Sequence, residues 1–121
     1  MNVEELREIC ISKKGATEEF PFDESTLVFK VMGKMFALVP LERLPPQCNL
    51  KCDPERAETL REEYDGTITP GYHMSKTHWN TLLLEQVPPQ LIKDLVDHSY
   101  ELVVSGLTKK LQQELQNLGG F

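Results

Sequence analysis

The segment at 70–79, PGYHMSKTHW, concentrates the side chains of this sequence that could do chemistry. It holds a tyrosine, two of the three histidines, a lysine and the only tryptophan: Tyr72, His73, Lys76, His78 and Trp79. Such residues could ligate a metal, assist a nucleophile, contact nucleic acid or line a ligand pocket. No acid lies within 66–84, although the chain as a whole is acidic.

A metal site is the first interpretation to test. Cys48 and Cys52, followed by His73 and His78, imitate the ligand set of a Cys2His2 zinc site. The cysteine pair would lie on an extended strand, however, and a whole helix would separate it from the histidines. A domain of this length also needs no zinc in order to fold. We therefore predict packed thiols and turn histidines, with no metal and no cofactor.

No sequence motif supports a catalytic function. A cysteine and a histidine can form a nucleophile pair, but the sequence lacks a glycine-rich phosphate loop and the G-x-S-x-G and H-E-x-x-H motifs. The acidic run ERAETLREEYD is most economically the solvated face of a helix, with Glu55, Glu58, Arg61 and Glu62 turned to water. We predict that the protein is not an enzyme and has no catalytic residue.

Nucleic acid is the third interpretation, because basic side chains interleaved with aromatic ones on exposed strands and turns can contact phosphates and bases. The candidate contacts are Lys30, Lys34, Lys51, Lys76, His78 and Trp79. Most of them fall in two segments without acids, 26–41 and 66–84, which would present them on hairpin tips and sheet surface like a pair of wings. The competing interpretation is that Trp79 packs in the interior, since tryptophan is usually well buried.

Helices and strands must position these residues. Asn2 and Glu5 form a capping box for a helix at about 3–14, and Asp53 with Pro54 starts a second helix. A long helix follows the two prolines at 88–89 and ends near Ser105, and TKKLQQELQ forms a last short helix. Gly15 can close the first helix in the left-handed conformation, and the glycines at 119–120 end the last one.

The strands alternate apolar and polar residues. ATEEFPF is a short edge strand, and TLVFKVM and MFALVP form a hairpin with a type II′ turn at Gly33 and Lys34. QCNLKC is the next strand, TITPGY is a turn, and THWNTLLLE is a strand with Trp79 opposite in phase to Asn80. The order α-β-β-β-β-α-β-α-α predicts a single α+β domain with an antiparallel sheet covered by helices.

Bulk properties narrow the class of protein. The chain has 121 residues, which suits one domain over 1–121. Its net charge of −6 disfavours non-specific DNA binding, which depends on neutralising phosphates, but leaves room for a local basic face. Three cysteines, an odd number, fit a reducing compartment. No apolar run approaches the ~20 residues of a membrane span, and MNVEELREIC lacks signal-peptide features. We expect a cytoplasmic protein.

Two long stretches of the sequence are recognisable, LKCDPERAETLREEYDGTITPGYHMSKTHWNTLLL and VPPQLIKDLVDHSYELVVSGLTKKLQQEL. In order and spacing they resemble the MmcQ/YjbR family of small bacterial proteins over nearly the whole chain. The matching positions are 51–54, 70–73, Lys76, His78, Trp79, Ser99, Tyr100, Leu102 and Val103. The resemblance implies a domain similar to frataxin/CyaY and a proposed DNA-binding role in which strands and loops form a double wing. It supplies no catalytic residue.

Three functional hypotheses follow. The first is a module that binds double-stranded DNA through a basic surface. The second is a protein- or small-ligand-binding module whose pocket or partner surface is lined by Tyr72, His73 and Trp79. The third and weakest is frataxin-like metal binding by the acids of the first helix.

Overall fold

Six strands and four helices form the computed structural model, which describes residues 1–71 and 74–118. The strands are β1 (Ala16–Glu19), β2 (Thr26–Val31), β3 (Lys34–Pro40), β4 (Gln47–Lys51), β5 (Ile68–Pro70) and β6 (Trp79–Leu83). The helices are α1 (Val3–Ile11), α2 (Pro54–Glu63), α3 (Pro89–Ser105) and α4 (Lys109–Asn117). All neighbouring strands pair antiparallel in the order β1-β2-β3-β4-β6-β5. The predicted α+β class and antiparallel sheet are confirmed.

Local sequence accounts for where the helices begin. Asn2 and Glu5 make the predicted capping box of α1, in which each side chain accepts the other residue's backbone N–H. Asp53 accepts the backbone N–H of Arg56 at the start of α2, and Pro54 occupies the first turn, where no N–H is needed. Thr108 caps α4 in the same way as Asp53 caps α2. These contacts explain why the predicted starts of α1 and α2 agree with the structure.

The core lies between one face of the sheet and the helices, a side that we call the covered face. Apolar residues from all four helices pack there against alternate residues of the strands. On β4, Cys48 and Leu50 point into this core, while Gln47 and Asn49 point to the opposite side. The helices therefore cover the sheet on one side, so the prediction of a sheet covered by helices holds for that face.

The end of α1 differs from prediction. The helix stops at Ile11 instead of continuing to about 14, because the backbone N–H of Lys13 bonds back to Cys10 and tightens the last turn. The hydroxyl of Ser12 donates to the carbonyl of Ile9, which satisfies another terminal carbonyl. Gly15 does adopt the expected positive φ, 72°.

The turn between β2 and β3 also differs from prediction. Val31 pairs with Lys34, so the two loop residues are Met32 and Gly33, and both have positive φ, 49° and 82°. Positive φ at both central positions defines a type I′ turn, whose twist matches the flanking strands. The predicted type II′ turn at Gly33 and Lys34 is wrong, and Lys34 is the first residue of β3.

The segment TITPGY was predicted as a turn and contains a strand. Residues Ile68–Pro70 form β5, which pairs with β6 at the edge of the sheet. An edge strand tolerates Pro70 because a missing N–H there need not break a ladder on both sides. Within residues 1–71 and 74–118, no helix is long and apolar enough to cross a membrane.

Candidate functional site

The side of the sheet away from the helices has no helical layer, and we call it the open face. Residues of this face alternate with those of the core, because successive side chains of a strand point to opposite sides. Across the sheet the open face carries Glu19, Lys30, Leu38, Asn49, Lys51, Thr69, Trp79 and Thr81. A helix-free face of an antiparallel sheet is free to carry polar groups, and function can reside there.

Trp79 lies on the open face but is not exposed. It packs with Val28 and Leu38 in a small cluster separate from the main core, and Met35 and Met74 pack against that cluster. Only 8% of Trp79 is exposed, so its ring is not available as a stacking platform for bases. The interpretation of Trp79 as a packing residue is the one that the structure supports. Tyr72 and His73 lie outside the described residues.

The turn before Trp79 is fixed to α2 by Arg61. Its guanidinium donates to the side-chain oxygen of Asn80 at 2.7 Å and to the carbonyl of Lys76. Asn80 is buried on the covered face, in the phase opposite to Trp79 as predicted, and its amide donates to the carbonyl of Ala57. The prediction that Arg61 turns to water is wrong, because these two acceptors draw the side chain back over the sheet.

Close backbone packing fixes the other side of this corner. Gly71 donates its N–H to the carbonyl of Trp79 at 2.9 Å, and a Cβ on Gly71 would lie 3.0 Å from that of Trp79. The backbone N–H of Cys52 donates to the carbonyl of His78 at 2.7 Å. Backbone hydrogen bonds therefore fix Gly71 at one end of this motif and His78 and Trp79 at the other.

Strand directions bring the predicted basic residues to one end of the sheet, which we call the basic end. The β2–β3 turn, the last residue of β4 and the first residue of β6 meet there, since Val31 pairs with Lys34 and Lys51 pairs with Trp79. The residues of the basic end are Lys30, Lys34, Lys51, Lys76 and His78. Lys34, Lys76 and His78 are exposed, and Lys30 and Lys51 are partly exposed.

The lysines of the basic end differ in their partners. Lys30 forms an ion pair with Glu19 of β1 at 2.5 Å. Among the described residues, no carboxylate lies within 4.0 Å of the Lys34 or Lys51 ammonium. The nearest acid in sequence to Lys51 is Asp53, whose carboxylate accepts the N–H of Arg56 as the cap of α2. Lys34 and Lys51 are therefore cations of the basic end whose charge is available to bind a ligand.

A groove of about 790 Å³ crosses the open face. Its floor is formed by side chains of three neighbouring strands, Asn49 of β4, Thr81 of β6 and Thr69 of β5. The hydroxyl of Thr81 donates to the side-chain oxygen of Asn49 at 2.6 Å, which holds both side chains in the floor. This volume lies within the ~300–1,000 Å³ typical of ligand pockets.

Two loops form the wall of the groove at the end opposite to the basic end. The loop at 20–25 contributes Phe22 and Asp23, and the loop at 41–46 contributes Arg43. A hydrogen bond from the backbone N–H of Leu41 to the carbonyl of Ser25, 2.8 Å long, joins the two loops. The sequence did not predict these groove residues. The alternation of Gln47 and Asn49 with buried Cys48 was the one signal of a polar face.

Of the four residues that imitate a zinc site, His73 lies outside the described residues, and the others do not form a metal site with a neighbouring ligand. Cys48 is fully buried in the main core, where burial raises the pKa of its thiol, whereas His78 is exposed on the turn before β6. Cys10 is buried in the same core, and burial raises its thiol pKa to about 12. Within the described parts of the chain, no three histidine, cysteine or acidic residues are placed to hold a metal ion.

Comparisons with known proteins agree on one family. The family model YjbR matches residues 11–102. The uncharacterized protein YjbR of Escherichia coli K12 is 34% identical over 119 residues, which cover 98% of this chain and 100% of that protein. The uncharacterized protein YbdF of Escherichia coli O157:H7 is 39% identical over 98 residues, 80% of each chain.

Solved structures share the fold. A crystal structure of a Deinococcus radiodurans protein of domain DUF419 matches with a TM-score of 0.88 at 43% identity, covering 95% of this chain and 88% of that one. A Pseudomonas syringae protein matches with a TM-score of 0.71 at 27% identity, covering 84% and 98%. The likeness to frataxin/CyaY expected from the sequence stays a prediction.

Proposed function

The chain belongs to the YjbR family, and we propose that it is a non-enzymatic module that contacts double-stranded DNA through the basic end. The observation that supports this proposal is the meeting of Lys34, Lys51 and Lys76 at one end of the sheet. These residues come from three separate parts of the sequence. Antiparallel pairing brings Lys34 of the hairpin and Lys51 of the strand end to the same end of the sheet, and Lys76 lies in the turn that leads into β6, an arrangement that resembles two wings.

The distribution of charge reconciles this proposal with the net charge of −6. The loops at the opposite end of the sheet carry acids, and their strand partners place them there: Asp23, Glu24, Glu42 and Glu85. The molecule is thus polarised along the strands. A phosphate backbone at the lysines of the basic end stays about four to six residues of strand, roughly 15–20 Å, from these acidic loops.

The geometry favours contacts with phosphates over contacts with bases. The side chain of Lys34 lies on the same face of the sheet as that of its pairing partner Val31, whereas Lys51 lies on the open face beside Trp79. DNA that reached both lysines would therefore approach along the strands, end-on to the sheet. With Trp79 buried, no described aromatic ring of this end is free to stack on a base. We expect weak, salt-sensitive binding with little sequence preference, since phosphate contacts carry no sequence information.

Fluorescence anisotropy of a short labelled duplex tests the proposal, titrated with the protein at low and then increasing salt. Lys34→Glu and Lys51→Glu should each weaken binding about tenfold at low salt, because each loses a charged contact of about 1.5 kcal/mol. Each lost phosphate contact should also reduce the salt slope by about 0.9.

Lys93→Glu is the matched control, because Lys93 is exposed on α3, on the covered side of the sheet, and its charge change is the same. This variant should bind DNA nearly as well as the wild type. Absence of wild-type binding at low salt, or equal losses in Lys34→Glu and Lys93→Glu, would contradict the proposal. All three cysteines are free and buried, which suits the reducing cytoplasm where DNA is found.

The second candidate function is ligand binding beside the corner at 72–79. Met74 and Ser75 of this corner contribute to the groove on the open face, whereas Trp79 lies behind its wall in the apolar cluster. A ligand site in this part of the molecule would therefore use the floor of the groove more than the Trp79 ring. A rise in melting temperature with a bound small molecule would support this function, since a ligand that binds only the native state stabilises it.

A further inference from the structure

We propose that the groove on the open face binds a small organic carboxylate with an apolar body, held by Arg43 at one end and by the amides and hydroxyls of the floor. This inference rests on the second candidate function and makes its site and ligand class specific. It does not depend on DNA binding, because none of the lysines of the basic end lines the groove.

The groove carries one acid and one arginine in its described lining, and of the two only the arginine lacks a partner. Asp23 and Arg43 are the charged residues of its lining. Both oxygens of the Asp23 carboxylate are already engaged, by the N–H groups and hydroxyls of Ser25 and Thr26. Those hydrogen bonds, the one from the Ser25 N–H most of all, hold the Asp23 pKa below its usual range. Asp23 therefore serves to shape its own loop.

Arg43 has no such partner. Among residues 1–71 and 74–118, the Arg43 guanidinium forms no ion pair and donates no hydrogen bond. The backbone N–H of Arg43 donates to the carbonyl of Pro40, which fixes the backbone at this residue. The side chain of Arg43 lines the groove. A guanidinium presents a planar fork of donors that matches a carboxylate in a bidentate pair. One unpaired arginine suits one monoanionic group better than a doubly charged phosphate.

The floor offers hydrogen bonds to the rest of a ligand. The side chains of Gln47 and Thr69 form no hydrogen bond with other described residues, and Asn49 uses its side-chain oxygen for Thr81. No buried side-chain polar atom of the described structure lacks a partner, so the remaining donors and acceptors of this row reach solvent through the groove. A ligand with one polar group besides the carboxylate can replace that water.

Apolar surface surrounds this polar row. Leu38, Met35 and Met74 lie along the inner part of the groove, where they cover Trp79. The two loops of the wall carry large apolar side chains that are exposed in the described structure, and Phe22 of these lines the groove: Phe20 at 49%, Phe22 at 64%, Leu41 at 42% and Leu44 at 82%. Exposed apolar residues gathered on two touching loops mark an interaction site more often than chance surface. Phe22, together with Leu38, Met35 and Met74, offers apolar surface to the body of a ligand whose charge is held by Arg43.

The test is a titration followed by backbone amide NMR shifts, with three probes that each carry one phenyl ring. The probes are 3-phenylpropionate, its neutral amide 3-phenylpropanamide, and phenyl phosphate. We expect 3-phenylpropionate to shift the amides of Arg43, Asn49 and Thr81 and to bind about three- to tenfold more tightly than the neutral amide, because it adds one charge-assisted pair in a partly wet site. Tighter binding of phenyl phosphate would overturn the assignment to a carboxylate.

Arg43→Gln should remove the preference for 3-phenylpropionate over its amide. It should also leave the fold intact, because residue 43 lies in an exposed loop. Asn49→Leu should weaken both probes, and Lys93→Gln, which removes one exposed charge elsewhere, should weaken neither. An Arg43→Gln protein that keeps the preference would overturn the proposal, as would shifts outside the groove. Groove shifts that appear on raising protein concentration without a probe would show a second copy as the occupant and would also overturn it.

Two cross-controls keep the proposals separate. Arg43→Gln should leave duplex DNA binding unchanged, and Lys34→Glu should leave probe binding unchanged. Loss of DNA binding alone would then remove the function assigned to the basic end, and loss of probe selectivity alone would remove the function assigned to the groove.

Discussion

The two faces of the sheet are formed by the same strands, but one packs against helices and the other does not. On β4, Leu50 is 1% exposed and packs beneath the helices, whereas its neighbour Asn49 lies in the floor of the open groove. The difference comes from the partner layer, since a helical layer demands apolar side chains and its absence permits polar ones. The covered face stabilises the fold, and the open face with its basic end is available for binding.

The largest effect should come from truncating the covered face. Leu50→Ala should lower the free energy of unfolding by about 3 kcal/mol, because it removes buried methyl groups and leaves a cavity. Asn49→Ala, one residue away on the same strand, should cost less than about 1 kcal/mol. Urea denaturation of both variants measures this contrast. Equal losses would mean that the open face is as important for stability as the core.

Ser99 ties the covered face together and should give the next largest effect. Its hydroxyl donates to the carbonyl of Phe36 at 2.5 Å and accepts the backbone N–H of Lys51 at 3.0 Å, which joins α3 to β3 and β4. Ser99→Ala leaves both backbone groups without this partner and should cost about 2 kcal/mol. Ser105→Ala, on the same helix but exposed, should stay within about 0.5 kcal/mol. Chemical denaturation that gave the same small change for both would contradict this role.

Arg61 links the covered side to the turn of the basic end. Arg61→Met should cost about 1–2 kcal/mol, because buried Asn80 loses the donor to its side-chain oxygen. It should also speed hydrogen exchange of the amides of Met74 and Trp79, whose bonds define the turn. Arg56→Met, on the same helix, is the control and should leave exchange in the turn slow. If hydrogen exchange of these amides is unchanged in Arg61→Met, the hydrogen bonds of Arg61 are not needed to hold the turn.

His98 should give the smallest effect, and one that depends on pH. Its ring nitrogen Nε2 accepts the backbone N–H of Asp53 at 3.1 Å, and burial followed by the charge of Arg56 lowers the His98 pKa from 6.5. The unfolded chain therefore binds the proton first, so stability should fall as pH drops from about 6.5 through the folded pKa. Thermal unfolding between pH 7 and pH 5 measures the slope. A His98→Gln protein with the same slope as wild type would contradict this origin.

The sequence predicted what local chemistry determines. The caps at Asn2 and Asp53, the boundary of α3 at Ser105 and the opposite phases of Trp79 and Asn80 depend on neighbours in the chain, and the structure confirms them. The type I′ turn was missed because a methionine at positive φ is rare and its sequence gives no signal for it. The strand β5 was missed because it has three residues and ends in proline. Such a segment is too short to show the alternation of apolar and polar residues that is typical of a strand.

The groove and the hydrogen bond between Arg61 and Asn80 could not be predicted from the sequence, because both depend on the order of the strands in the sheet. Thr69, Thr81 and Asn49 become neighbours only because β6 inserts between β4 and β5. Arg61 bonds to Asn80 only because α2 packs against that edge of the sheet. The alternation in QCNLK indicated a polar face, but not which residues of other strands would share it. The meeting of the basic residues on paired strand ends had the same origin, although acid-free segments marked most of them.

In the proposed function, DNA contacts the ends of the strands and does not contact the helices of the covered face. The most direct test is a titration of the isotope-labelled protein with a short duplex, followed by backbone amide shifts at low salt. We expect shifts confined to the β2–β3 turn, Lys51 and the turn at 74–78, and their loss when salt is raised. Shifts centred on α2 or α3, or no shifts at any ratio of DNA to protein, would contradict it.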